Sequence, residues 1–436
     1  MRWKSDTYTG WGRALSAAGE KARPERQNHL AAIAASEPAP AIGNCRSYGD
    51  ACLNDGGKAI DTTKLDRILS FDAETGMVEV EAGLTLGDLA KIYAPQGWLP
   101  AVMPGTGFAT VGGAIAMDVH GKNHHNLGSF GQHVEDITLL QGDTERTITA
   151  KNKALFQATI GGLGQTGIIS KATLRLQRCK GDVMMVTERR AEGWDQFLDL
   201  LDRSEATYTV GWIDATAQGD KLGRGILEEA ETGAGLVPAP KKSKAIPTDA
   251  PGFALSKPIV RTFNEAYYRR VPASGRTVVK PIQDFFFPLD RIHDWNRLYG
   301  KRGFHQFQCV VPIAEAPALR AMLDLIAQSG LASPLAVLKR MGPGRAGYLS
   351  FPMEGYTLAV DFPNSTEARK LITRLEEMTT EASGRIYFAK DALATPERVQ
   401  AMYPDLSRWQ KEVAKADPGG ALATDLIRRL KLRDPA

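Results

Sequence analysis

The segment Met103–Gly131, MPGTGFATVGGAIAMDVHGKNHHNLGSFG, decides how the rest of the chain is read. Seven of its 29 residues are glycine, and His120, His124 and His125, three of the protein's seven histidines, fall within six positions. Glycine has no Cβ and adopts positive φ cheaply, so glycine-dense backbone can bring N–H groups close to a phosphate-bearing ligand. The apolar VGGAIAM between the glycines is too ordered in character for a linker. The segment reads as a buried cofactor site.

Two further glycine clusters bracket it, GNCRSYGDACLNDGG at 43–57 and IGGLGQTGIIS at 160–170. The 436 residues are 43% hydrophobic and 24% charged, which suits a soluble globular protein of two or three domains. A net charge of +4 without a run of five like charges argues against nucleic acid as a partner. Cys45, Cys52, Cys179 and Cys309 form no CxxC pair, so neither zinc nor a disulfide framework is expected, and reduced thiols in a cytosolic setting are the default. Asp118 is the sole carboxylate near the histidines, too few ligands for a metal site. The N-terminus lacks the apolar core of a signal peptide, and no stretch approaches membrane-spanning length.

The pattern around the clusters is α+β. Ile68–Phe71 and Val78–Glu81 flank a turn at Glu74–Gly76 as a hairpin, and Leu86–Tyr93 follows as a helix capped by Thr85. Residues 134–150 read as a second hairpin. Beyond Gly181 the pattern predicts helices at Trp194–Leu201, Glu315–Gln328, Ser365–Ser383, Pro396–Met402 and Leu406–Ala416. Strands are expected at Tyr208–Asp214, Val278–Phe287, His305–Val311, Ala336–Arg340, Thr357–Phe362 and Arg385–Ala389. Gly219–Ser256, rich in Gly, Pro, Lys and Ala, reads as a loop-like insertion, either a mobile lid or a docking segment.

In order, the three clusters resemble the FAD-binding domain of the vanillyl-alcohol oxidase (PCMH) type, and no Rossmann GxGxxG follows an early strand. AMDVHGKNHHNLGSFG, WNRLYGKRGFHQFQCVVP, LSFPMEGYTLAVDFP, GRIYFAKDA and MYPDLSRW are similar to the decaprenylphosphoryl-ribose 2'-oxidase family within that type. The resemblance implies an α+β fold with a two-subdomain FAD-binding domain at 1–180. It further implies a substrate-binding cap at 181–386, built on an antiparallel sheet with helices, and a segment 387–436 that returns to the FAD domain. The implied activity is FAD-dependent oxidation of the 2'-hydroxyl of a polyprenyl-phosphoryl ribose to the 2'-keto sugar. That is the first half of an epimerisation to an arabinose donor for the cell envelope, completed by a separate NAD(P)H-dependent short-chain reductase.

Residue by residue, the resemblance assigns non-covalent FAD to Cys45, Arg46, Ser47, Tyr48, Gly49, Pro104, Gly105, Thr106, Thr110, Gly112 and Gly113, with Asp118, His120, Gly121, Asn123, Ile168 and Tyr387. In particular, 45–49 and 110–113 would supply a nest of N–H donors to the pyrophosphate. Lys122, Gln308, Lys339, Tyr387 and Lys390 would face the substrate, and His120, Lys390, Tyr48 and Gln308 would serve the chemistry. Oxidation of a secondary alcohol needs a group to take the hydroxyl proton, and His120 and Lys390 are equal candidates. Positive charge beside the flavin's pyrimidine end favours its anionic reduced form. An isolated lysine is ordinarily a solvated surface charge; only its place in a matching motif turns it inward. His124 and His125 read as structural.

One position departs from the mycobacterial-type members. Ala359 stands where they carry the cysteine that covalent nitroaromatic inhibitors attack, and Thr357 stands where they have asparagine. A lipid-linked sugar also raises peripheral contact with the inner membrane, for which LVPAPKKSKAIP (236–247), apolar with three lysines, is a candidate beside the plainer reading of a surface loop. Two rival functions are an oxidase of a soluble polyol or aldonolactone and a non-turning-over flavin partner of the reductase.

Overall fold

Residues 3–238 and 242–433 are described by a computed structural model of the chain. Ala239, Pro240 and Lys241, part of the 236–247 candidate, lie outside the described residues. The N-terminal part is built on two sheets. The strands Lys4–Thr9, Ser16–Ala22, Lys58–Asp61 and Ala41–Ile42 lie side by side in that order, and Asn44–Asp50 leaves the last of them as a loop. A six-stranded sheet runs Ile68–Asp72, Met77–Glu81, Ile168–Arg178, Val134–Gln141, Thr144–Thr149, with Trp98–Pro100 pairing the far end of Ile168–Arg178. The expected hairpins are both present as antiparallel pairs. Thr85 caps Leu86–Tyr93 by accepting from Asp88 N–H.

An eight-stranded antiparallel sheet carries the second half, in the order Arg276–Pro281, Val183–Ala191, Gly225–Gly233, Tyr208–Ile213, Ala336–Met341, Gly355–Pro363, Phe304–Val311, Arg385–Ile386. Helices Trp194–Arg203, Ala316–Ser329 and Thr366–Glu381 bury apolar stripes in the core associated with it. Ser365 caps the last of these by accepting from Ala368 N–H, as its position before the periodic run predicts.

Three expectations are corrected. Gly219–Ser256 is loop-like only in part: residues 234–238 and 242–251 carry no regular element but the two-residue strand Lys244–Ala245, while Gly225–Gly233 is an inner strand with partners on both sides. Its acidic run reads as solvated until the fold brings Arg270 and Lys280 to Glu228 and Arg189 to Glu229. Val278–Phe287 divides into an edge strand ending at Pro281 and a short helix Ile282–Phe286. Proline has no N–H to extend the ladder, which confines it to such an edge. Arg385–Ala389 pairs only over Arg385–Ile386, then turns so that Lys390 N–H donates to the Tyr387 carbonyl.

The tail packs back on the loop after Ala41–Ile42. Arg429 bridges Asp50 at 2.7 Å and Asp391 at 2.8 Å. A Cβ on Gly49 would fall 1.7 Å from the Asp391 carbonyl oxygen, so only glycine permits this approach. The contact brings Tyr48 and Lys390 together in the wall of one cavity.

Candidate active site

A cavity of about 520 Å³ runs between the N-terminal sheets and the eight-stranded sheet. One end is backbone-rich, lined by Asn44–Tyr48, Pro104–Thr106, Thr110, Gly113 and Gly164. The N–H groups of Asn44, Cys45, Arg46, Ser47, Gly105 and Thr106 find no acceptor among the described residues. Cys45 sits at φ 48°, and a left-handed residue between ordinary ones turns successive N–H groups toward one side. Arg46 lies between the Trp11 and Phe108 rings, 4.1 and 4.5 Å from their centroids, and its Nε is buried without a partner. A Cβ at Gly105 or Gly164 would meet nothing within 4 Å. Free donors, an orphaned guanidinium nitrogen and open space beside glycines are what an extended diphosphate-bearing cofactor needs, and the residues present fit FAD.

The other expected donors are already engaged. Val111 N–H donates to Leu84 O at 2.8 Å, Gly112 N–H to Ala82 O at 2.8 Å, and Gly113 N–H to the Thr110 hydroxyl at 3.2 Å. The nest therefore belongs to 44–47 and 105–106, while Thr110 and Gly113 contribute wall. Five expected cofactor residues stand behind that wall. Gly49 backs onto Asp391, Gly112 onto Ala82, and Asn123 donates from Nδ2 to Ala101 O at 2.8 Å. Ile168 packs in the core opposite Leu140. Asp118, fully buried, accepts from Gly131 N–H, Ala346 N–H and Ser350 Oγ, so it ties the two halves together.

The middle of the cavity holds the titratable cluster. Lys339 Nζ lies 3.0 Å from His120 Nδ1, and Gln308 Nε2 lies 3.0 Å from His120 Nε2 and 3.2 Å from Thr357 Oγ1. The His120 ring packs beside Phe351 and Tyr387, centroids 5.6 and 5.5 Å away. Burial, then the positive charges of Lys339 and Lys390, push the imidazole well below its usual value and keep it neutral. Burial pulls Lys339 down to about 7, helped by repulsion from Lys122 and Lys390. Lys390 falls to about 7 for the same first cause, opposed by Asp361, and its Nζ sits 3.5 Å above the Tyr48 ring. Lys122 is lowered to about 8 by burial, with its ammonium over the Phe285 ring and donating to the Phe285 carbonyl.

These values fix a pH dependence for the apoprotein. A lysine at about 7 when folded and 10.5 when unfolded costs its full penalty at and below pH 7, and that penalty shrinks as pH rises toward 10.5. Lys339→Met, which removes one buried ammonium, should stabilise the apoprotein by roughly 1–4 kcal/mol at pH 7. Urea unfolding at pH 7 and pH 9.5 should show that gain decreasing at the higher pH; a gain that grows with pH contradicts the assignment.

Asp361, Gln306 and Tyr299 were missed by sequence reasoning. Asp361 is fully buried, accepts from Gln306 Nε2 and, at 3.1 Å, from the Tyr299 hydroxyl. Burial raises it to about 7, offset in part by Gln306 and Lys390. A signal was available: strand alternation puts Thr357, Ala359 and Asp361 on one face of the sheet, and Gln308 and Gln306, the register partners of the last two, on that same face of the neighbouring strand. The far end of the cavity is apolar, walled by Val210, Trp212, Ile226, Leu289, Leu335 and Val337, with Tyr267 and the Arg270–Glu228 pair at 3.3 Å.

His124 and His125 open a short helix His124–Leu127 and serve packing. His124 Nδ1 accepts from Gly342 N–H at 3.2 Å, and His125 Nε2 lies 2.9 Å from Ala206 O. Among the described residues, no group of three or more His, Cys, Asp or Glu side chains could hold a metal ion. Among the same residues, no helix is long and apolar enough to cross a membrane.

Comparison with known proteins agrees with this geometry. A family described as FAD binding domain matches residues 25–151. Decaprenylphosphoryl-β-D-ribose oxidase of Mycolicibacterium smegmatis is 37% identical over 97% of both chains. A Streptomyces coelicolor protein, described as an uncharacterized protein in the mprA 5' region, is 31% identical over 80% of this chain and all of its own. L-gulono-1,4-lactone dehydrogenase of Mycobacterium tuberculosis is 22% identical over 98% of this chain and 99% of its own.

Proposed function

The chain belongs to the decaprenylphosphoryl-β-D-ribose oxidase family of FAD-dependent oxidoreductases, and from that premise we propose that it oxidises the 2'-hydroxyl of a polyprenyl-phosphoryl ribose to the 2'-keto sugar. The observation that carries the substrate class is one cavity holding a neutral imidazole, three lysines and an apolar far end. A soluble polyol calls for the first of these and not for Trp212, Leu289, Leu335 and Val337 at the far end. FAD, held by the free N–H groups of 44–47 and 105–106 and by Arg46, supplies the two-electron acceptor.

The chain's own groups handle the proton. With Lys339 near 7, its amine can accept from His120 Nδ1–H; the Nε2 lone pair then accepts from Gln308 Nε2–H in the free protein, and a substrate hydroxyl takes that amide's place to give up its proton. A proton taken at Nε2 is matched by release of the Nδ1 proton to Lys339, so the ring moves a proton without itself becoming charged. Gln308 and Thr357 orient that edge of the ring. We assign the proton acceptor to His120, and to Lys390 the supply of positive charge over Tyr48. Lys122 and Arg270 suit the phosphate of the substrate. FAD dissociates on denaturation in this reading, since both ring nitrogens of His120 have partners within the protein. The product would pass to a separate NAD(P)H-dependent reductase.

Trapping the product with borodeuteride tests the reaction: deuterium should appear at C2' of ribose and arabinose, and label elsewhere would overturn it. The strand register carries a second test. Ala359 faces Gln308 and Val337 and lines the cavity, so Ala359→Cys places a thiol against bound ligand. Mass spectrometry should find a nitroaromatic adduct on the variant during turnover and none on the natural chain. A variant that turns over without forming the adduct contradicts the register.

A further inference from the structure

The helix Lys257–Arg269 buries only Val260 and Asn264. Asn264 donates to Asp214 at 2.7 Å and Glu265 pairs with Arg224 at 2.7 Å, which fixes that side to the protein. The other side presents Ile259 and Phe263, one turn apart and 45% and 50% exposed, and Phe253 just before the helix is 69% exposed. Clustered exposed apolar side chains of this size mark an interaction surface. Lys257 and Arg261 are exposed on the same helix without a carboxylate partner among the described residues, and Arg269 pairs with Glu265 alone.

The face is continuous with the cavity. Phe263 stacks on Tyr267 with centroids 5.9 Å apart, and Tyr267 packs on Trp212 at 4.7 Å. Tyr267 and Trp212 both line the apolar far end. A run of aromatic rings thus leads from the exposed stripe into the cavity, with the Arg270 guanidinium 4.4 Å from the Tyr267 centroid beside it.

We propose that Phe253, Ile259 and Phe263 seat the protein on an anionic phospholipid surface, with Lys257 and Arg261 against the headgroups. A prenyl chain then enters from the bilayer along Phe263, Tyr267 and Trp212. The docking surface is the helix rather than the 236–247 segment. The prenyl route rests on the substrate reading above; attachment to the lipid surface does not. Three large apolar side chains backed by unpaired cations match an interface of acyl chains beneath anionic headgroups.

Co-sedimentation of the FAD-loaded protein with phosphatidylcholine vesicles, with and without 30% phosphatidylglycerol and without substrate, tests the docking. The expected result is binding to the anionic vesicles that falls at least tenfold in the Phe253→Ser, Ile259→Ser double variant. The variant should keep its flavin absorbance and its turnover of a water-soluble short-prenyl phosphoryl ribose, while KM for the long-chain lipid in vesicles rises about tenfold. Unchanged vesicle binding by the variant overturns the proposal, as does a natural chain that binds neither vesicle. Loss of a dimer by the variant in sizing, with no vesicle binding, overturns it in favour of a second copy on this face. Vesicle binding that depends on the stripe, without turnover of either phosphoryl ribose, upholds the docking and removes the substrate reading.

Discussion

Lys390→Met is expected to lower kcat by about 10²–10³-fold while FAD remains bound, the usual effect of removing one preorganised charge or donor from a reacting centre. The methionine keeps most of the stem volume against Tyr48, so folding and cavity shape should persist. What disappears is an ammonium that makes no hydrogen bond among the described residues and is presented to the cavity at 3.5 Å from the Tyr48 centroid. Asp361 raises its affinity for a proton, and burial outweighs this and pulls it down to about 7. The midpoint potential of the bound cofactor should fall with the charge, which a packing role would not produce. Retention of kcat within threefold would remove Lys390 from the chemistry.

His120→Phe should cost about 10²–10⁴-fold in kcat, the range for losing a positioned acid–base group, with KM little changed. Phenylalanine preserves the contacts with Phe351 and Tyr387 while deleting both ring nitrogens. Lys339 then loses its hydrogen-bond partner at Nδ1 and keeps only the Gly121 carbonyl at 3.3 Å. A loss confined to KM would show that His120 binds rather than takes the proton. Equal losses in His120→Phe and Lys339→Met, with no further loss in the double variant, would show that the two act as one relay.

Much of this site was legible because its signals are local. The glycine clusters bring a backbone nest to the cavity, and HGKNHH and IYFAKDA place His120, Lys122 and Lys390 at its wall. What escaped depends on partners distant in sequence. Gly225–Gly233 carries Glu228, Glu229 and Glu231 and becomes a strand only when Arg270, Lys280 and Arg189 neutralise it. Val111 and Gly112 looked like phosphate donors until Leu84 and Ala82 took their N–H groups. Asp361 was hidden because a lone aspartate in a strand reads as a turn-facing or solvated group. Its burial comes from Tyr299 and Gln306 closing over it.

On the proposed function, the buried cluster and the apolar end of the cavity serve one molecule. Stopped-flow bleaching of the flavin absorbance under anaerobic conditions compares polyprenyl-phosphoryl ribose, free ribose, xylitol and L-gulono-1,4-lactone directly. Rapid bleaching by the prenyl-phosphoryl sugar is expected, with at least 10²-fold slower bleaching by the other three. Faster bleaching by the lactone or by xylitol than by the lipid-linked sugar would contradict it.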